Sequence, residues 1–151
     1  MILIATDGSA PARAAEALGL ELARARGAAV AFVCVWAPLR GSFGMPLPEM
    51  LDPEFIDAER TWAEETLEAA SRRAAAAGME AETIIAKGPA VQAVCDTAER
   101  RQAGLVVLGS HGWGAMMSLI FGSTTLGVLQ HAPCPVVVVR DRPGNAAEAP
   151  A

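Results

Sequence analysis

The stretch QAGLVVLGSHGWGAMMSLIFGSTTLGVLQHAPCPVVVV, Gln102 to Val139, contains no Asp, Glu, Lys or Arg, so all 29 charged residues of the 151-residue chain lie outside it. Its internal punctuation argues against a membrane span, which needs about 20 consecutive apolar residues. Gly109 to Gly114, the cluster Gly122-Ser123-Thr124-Thr125, and Pro133 with Pro135 break it into short pieces. Those pieces read in turn as a fully apolar strand (Leu105 to Leu108), a glycine-rich loop, a helix from Gly122 to His131 and a valine strand (Val136 to Val139). A strand, a crossover and a second strand in this order is a parallel unit, because parallel pairing requires a crossover.

The same alternation extends toward the N-terminus. Met1 to Thr6 is an apolar run ended by Asp7-Gly8, and reads as a strand buried on both faces. Ser9 is placed to cap a helix carrying Pro11 in its first turn, with Ala14, Leu18, Leu22 and Ala25 at helical spacing before Gly27. Val30 to Trp36 is a second strand, followed by a Pro- and Gly-rich segment from Ala37 to Pro53 and a long amphipathic helix from Glu54 to Ala77. Ala81 to Ala86 is a third strand whose mixed polarity suits a sheet edge, and Pro89 opens a helix with Val91, Val94, Cys95 and Ala98 on one face. Five strands alternating with helices predict an α/β fold with a parallel sheet and helices on both faces. Residues 1–140 are expected to form one domain, and Asp141 to Ala151 a disordered tail.

Composition narrows the function. Twelve Lys and Arg against 17 Asp and Glu leave a formal charge of −5, which opposes generic attraction to nucleic acid or an anionic membrane. The hydrophobic fraction of 52% owes 32 residues to alanine and only 7 to aromatics, so much of it is helix-forming alanine. No basic region precedes the first apolar run, so no signal peptide is read and a cytosolic protein is expected. Cys34, Cys95 and Cys134 are odd in number and widely spaced, which fits small core residues better than a disulfide framework or a zinc site. His111 and His131 stand 20 residues apart without a carboxylate or Cys at ligand spacing, so no metal site built by protein alone is expected. His131 suits a helix C-terminus.

In open parallel sheets ligands bind beyond the carboxyl ends of strands, where strand order reverses. Three strand ends carry candidate chemistry: Ala5-Thr6-Asp7-Gly8-Ser9, Val35-Trp36, and Gly109 through Gly114. The last leads to Gly122-Ser123-Thr124-Thr125 at a helix start, where unpaired N–H groups and a partial positive charge favour an anion. The glycines permit close approach of a phosphate or ribose, and the hydroxyls of Ser123 and Thr124 add donors. Glycines that only make turns, and a Ser123 that only caps a helix, are the plainer alternative. There is no Gly-x-Ser-x-Gly elbow and no Walker-type Gly-x4-Gly-Lys-[Ser/Thr], and the sole lysine is Lys87, so no catalytic residue for phosphoryl transfer is identified.

The pattern Gly109-x2-Gly112-x9-Gly122-Ser123, the opening Ile4-Ala5-Thr6-Asp7-Gly8-Ser9, the helix start Gly88-Pro89-Ala90 and the run Val128 to Arg140 together resemble the universal stress protein family, across essentially all of Met1 to Arg140. The resemblance implies a Rossmann-like, adenine-nucleotide-binding α/β fold with strand order 3-2-1-4-5. The complete G-x2-G-x9-G-[S/T] pattern places the chain with the members that bind ATP. It implies that Ala5, Thr6, Asp7 and Val35 contact adenosine, that Gly109 and Gly112 line ribose and phosphates, and that Gly122, Ser123 and Thr124 hold the phosphates. Mg²⁺ or Mn²⁺ is a candidate companion of those phosphates. A homodimer through the fifth strand, Val136 to Val139, is implied as well, and the protein partner is unknown. Many members have Gly-Arg-Gly where this chain has Gly112-Trp113-Gly114, which removes a cation and leaves Trp113 to stack on ligand or cover a neighbour. Many also have an acidic residue where Gly104 stands. The functions in view are an ATP-binding stress-response regulator with Ala37 to Pro53 and Ala115 to Phe121 as responsive elements, a nucleotide-independent interaction protein, and a weak ATPase or autokinase.

Overall fold

The computed structural model describes residues 1–36, 53–111 and 121–140. Gly112, Trp113, most of both proposed responsive elements and the tail from Asp141 lie outside the described residues. The elements run β1 (Ile2–Ala5), α1 (Ala10–Arg26), β2 (Val30–Trp36), α2 (Pro53–Ala76), β3 (Ala81–Lys87), α3 (Ala90–Arg100), β4 (Leu105–Gly109), α4 (Ser123–His131) and β5 (Val136–Val139). All strands pair in parallel, in the order β3-β2-β1-β4-β5, as expected. The mixed polarity of β3 is explained by its place at the edge.

Alternation along each strand divides the apolar residues between two cores. Ile2, Ile4, Phe32, Leu105 and Val107 point to one face and pack with α1 and α2 through Ala15, Leu20, Ala63 and Leu67. Leu3, Ala31, Val33, Val106 and Leu108 point to the other and pack with α3 and α4 through Val94, Ala98 and Val128. Central strands covered on both faces need apolar residues at every position. That accounts for β4, where all five residues are buried.

Local chemistry sets the helix ends. Ser9 Oγ accepts from the Ala12 N–H at 3.4 Å and caps α1, while Gly27 closes it in the left-handed conformation. α2 begins at Pro53, one residue before the sequence-based expectation, because proline is well accommodated in a first helical turn. Cys34 is fully buried on β2, and burial, with a smaller contribution from the Asp7 charge, pushes its thiol pKa up to about 12. At neutral pH it therefore acts as a small apolar residue and not as a nucleophile. Cys95 and Cys134 are likewise free thiols. Among the described residues no helix is long and apolar enough to cross a membrane.

Candidate functional site

In the order 3-2-1-4-5 the connection leaving β1 runs toward one edge and the chain arriving at β4 goes to the other, so the switch point falls between β1 and β4. Their carboxyl ends are Thr6-Asp7 and Gly109-Ser110-His111. A cleft of about 170 Å³ opens there.

The β1 end is a tight turn held by its own side chains. Asp7 Oδ1 accepts from the Ser9 N–H at 3.0 Å, and Thr6 Oγ1 accepts from the Gly8 N–H at 3.2 Å. Gly8 sits at φ +76°, which favours glycine. Thr6 N–H donates to Val33 O at 2.9 Å, so the turn starts from the sheet itself.

The β4 end is tied to α4. Ser110 N–H donates to Val139 O on β5, and Ser110 O accepts from the Gly122 N–H, both at 2.8 Å. The buried Thr125 hydroxyl lies 2.9 Å from Gly109 O and 3.1 Å from Ser110 O, and bridges the last turn of strand to the first turn of helix. These contacts aim the start of α4 at the cleft. Its N-cap is Gly122, at φ −70° and ψ 160°, which has no side chain with which to cap the helix. Among the described residues no side-chain oxygen competes for the first-turn amides.

Of the residues singled out from sequence, Ala5, Thr6, Asp7, Val35, Gly109 and Thr124 line this one cleft. Gly122 and Ser123 stand beside it at the start of α4; Ser123 is exposed and is the first helical residue, not the cap. The two glycines of the motif differ in origin. A Cβ on Gly109 would lie 2.7 Å from the carbonyl carbon of Pro11 and 2.9 Å from Ala12 N, so glycine is demanded there by the first turn of α1. Among the described residues a Cβ on Gly122 would meet nothing closer than His111 Cα at 3.4 Å, and its φ suits any residue.

Sequence reasoning passed over His111 as a lining residue. It lines the cleft, and its Nδ1 is buried without a hydrogen-bond partner among the described residues. It also passed over Thr125, whose role depends on two carbonyls 15 and 16 residues away. The walls between the polar ends are apolar, formed by Val33, Val35, Val94 and Leu108. Among the described lining residues the ionisable groups are Asp7 and His111, and neither Lys nor Arg contributes. Lys87 instead lies 4.9 Å from the Trp36 ring centroid at the ends of β3 and β2. A larger groove of about 520 Å³ between α3 and the end of α4 is lined by Asp96 and Glu99, so it does not suit an anion.

A cleft with a carboxylate at one end, apolar walls and, at the other, a helix start whose N-cap is glycine fits a ligand with hydrogen-bond donors, a flat apolar body and an anionic tail. Comparison with known proteins agrees in class. The family model described as "Universal stress protein family" matches residues 1–140. A universal stress protein encoded beside a QAH/OAS sulfhydrylase gene in Thermus aquaticus is 34% identical over 141 residues, spanning 92% of this chain and 97% of that one. Universal stress protein Rv2624c of Mycobacterium tuberculosis is 32% identical over 143 residues, and there the chain spans 93% of itself but only 48% of the relative. Among solved structures, universal stress protein UspA from Lactobacillus plantarum superposes with a TM-score of 0.80 at 28% identity, covering 92% of this chain and 96% of that one. A universal stress protein in complex with cAMP gives 0.69 at 25% identity, covering 91% and 94%. One from Archaeoglobus fulgidus in complex with dAMP gives 0.64 at 23%, covering 91% and 95%, a likeness of fold.

Proposed function

The chain belongs to the universal stress protein family, and from that premise we propose that it binds an adenine nucleotide, ATP among them, in the cleft at the carboxyl ends of β1 and β4 and acts as a nucleotide-dependent stress-response regulator. The observation that carries this reading is Gly122. The described residues leave room for a side chain there, yet Gly122 provides none of the oxygen that Ser, Thr or Asp would bring to the helix start that faces the cleft. That arrangement favours an external anion over an internal cap. In this reading Asp7 and Thr6, with Ala5 and Val35, take the adenosine portion, Gly109 and Gly112 flank the ribose and phosphates, and Gly122, Ser123 and Thr124 hold the phosphates. The relatives solved with cAMP and dAMP lend the class of ligand. Among the described residues no group of three or more His, Cys, Asp or Glu is arranged to hold a metal, so Mg²⁺ or Mn²⁺ would arrive on the phosphates.

Thermal unfolding with AMP, ADP and Mg-ATP tests the reading. Ligand at about 100 times its dissociation constant stabilises by roughly 2.7 kcal/mol, which raises Tm by about 5 to 10 °C for a domain of this size. No shift with any of the three at millimolar concentration overturns it.

The reading includes a cytosolic homodimer of the 1–140 domain. β5 lies at the sheet edge, its four valines are half-buried along their whole length, and no charge interrupts them. Apolar open edges invite pairing with another strand. Gel filtration at micromolar concentration is expected to give a dimer, and a monomer there removes this part of the reading.

A further inference from the structure

Glu16 is an acidic residue inside the molecule. It lies on α1, is 1% exposed and shares its carboxylate between two donors. Oε1 accepts from the Thr6 hydroxyl at 2.5 Å, and Oε2 accepts from Arg73 Nε on α2 at 2.6 Å. Thr6, 5% exposed, lines the cleft, and its oxygen accepts from the Gly8 N–H. The direction of these bonds has a chemical consequence. A carboxylate paired with a guanidinium only accepts, so the single hydroxyl proton of Thr6 is committed to Glu16. Only lone-pair density remains on Thr6 for the turn and for anything beyond it. Asp7, the next residue, is also an acceptor.

We propose that Glu16, oriented by Arg73 and acting through Thr6, sets the hydrogen-bond polarity of the cleft: the Thr6 and Asp7 side chains at its β1 end offer acceptors, which favour a ligand's hydroxyl or amine donors over its phosphate. Glu16 and Arg73 are thus positioning residues that decide which way round the ligand lies. The functional half of this inference rests on the nucleotide reading above; the polarity itself does not. Glu16→Gln keeps the shape but replaces one acceptor oxygen by an NH₂ donor. With the remaining oxygen held by Arg73, the amide must donate to Thr6, and the hydroxyl proton, unable to point at the Gly8 N–H donor, is driven toward the cleft.

The test uses the full chain, with Glu16→Gln, Thr6→Val and Thr6→Ser. Without ligand, NMR of the parent protein is expected to show a slowly exchanging Thr6 hydroxyl proton coupled through space to Glu16. Glu16→Gln is expected to lose that signal and shift the Gly8 amide while the remaining amide spectrum stays folded. With AMP as probe, calorimetry is expected to show affinity about tenfold weaker in Glu16→Gln and in Thr6→Val, and restored in Thr6→Ser. The double variant is expected to lose no more than Thr6→Val alone, since both remove one linkage. A Thr6 hydroxyl signal that is unprotected in the parent, or that survives Glu16→Gln unchanged, overturns the polarity. Unchanged AMP affinity in Thr6→Val overturns its role in binding. If the parent binds none of AMP, ADP or ATP, the nucleotide reading has failed, and the ligand-free signals alone decide the polarity. If Glu16→Gln does not fold, the Thr6 pair and the parent's hydroxyl signal decide.

Discussion

Gly122→Asp is expected to make the protein more stable and to abolish its binding of adenine nucleotides. At φ −70° and ψ 160° the position has the backbone of a capped N-terminus, and among the described residues a Cβ meets only ordinary contacts, at His111 and Ser110. The new carboxylate caps the first-turn amides and interacts favourably with the helix dipole, for a gain of about 1 kcal/mol. Tm should rise by about 3 to 4 °C. The same carboxylate occupies the place proposed for phosphate. Two like charges about 4 Å apart at an effective dielectric constant near 20 repel by roughly 4 kcal/mol, so AMP and ATP affinity should fall at least about 100-fold. Adenosine, which lacks the phosphate, should bind as it does to the parent. Differential scanning calorimetry and titration with AMP and adenosine check both halves. A stabilised protein that still binds AMP normally would show that phosphate does not sit at α4.

Gly109→Ala is expected to fail for the opposite reason, although both glycines belong to one spacing motif. Its Cβ falls 2.7 Å from one backbone atom of α1 and 2.9 Å from another. Neither can swing aside as a side chain does, so α1 must move off β4. Overpacking of this kind costs about 3 kcal/mol, lowering Tm by about 10 °C. Because Ser9 and Asp7 anchor the start of α1 to the cleft, the shift should also weaken nucleotide binding. Chemical denaturation measures the loss; stability within about 0.5 kcal/mol of the parent, the range of neutral surface changes, would mean that the contact is relieved at no cost. Together the two variants separate a glycine kept for packing from one kept for a ligand.

Much of the architecture was legible because its signals are local. Short apolar runs, proline and glycine punctuation and helical spacing identified five strands and four helices close to their observed bounds. The polarity of Ala81 to Ala86 located the edge strand, since only an edge tolerates Glu82 and Thr83 exposed on β3. The strand order came from family resemblance, not from periodicity: no pattern within one strand states which neighbour it will pair with. The sequence also brought six of the candidate residues to one cleft, because a strand end followed by glycine or a hydroxyl is itself a local pattern.

What the sequence determined by itself is therefore what nearest neighbours along the chain determine: element types, their caps, and which strand ends carry polar chemistry. Only the tertiary structure decided the rest. It showed that Gly109 serves α1 while Gly122 leaves a helix start open. It showed that Thr125 joins β4 to α4, and that Glu16, which sequence pattern reads as one more helical acid, is buried between Thr6 and Arg73. The physical reason is range. Propensity and capping act over three or four residues, whereas the Glu16 to Arg73 contact spans 57, and its two partners become neighbours only after β1, α1 and α2 have packed on one face of the sheet.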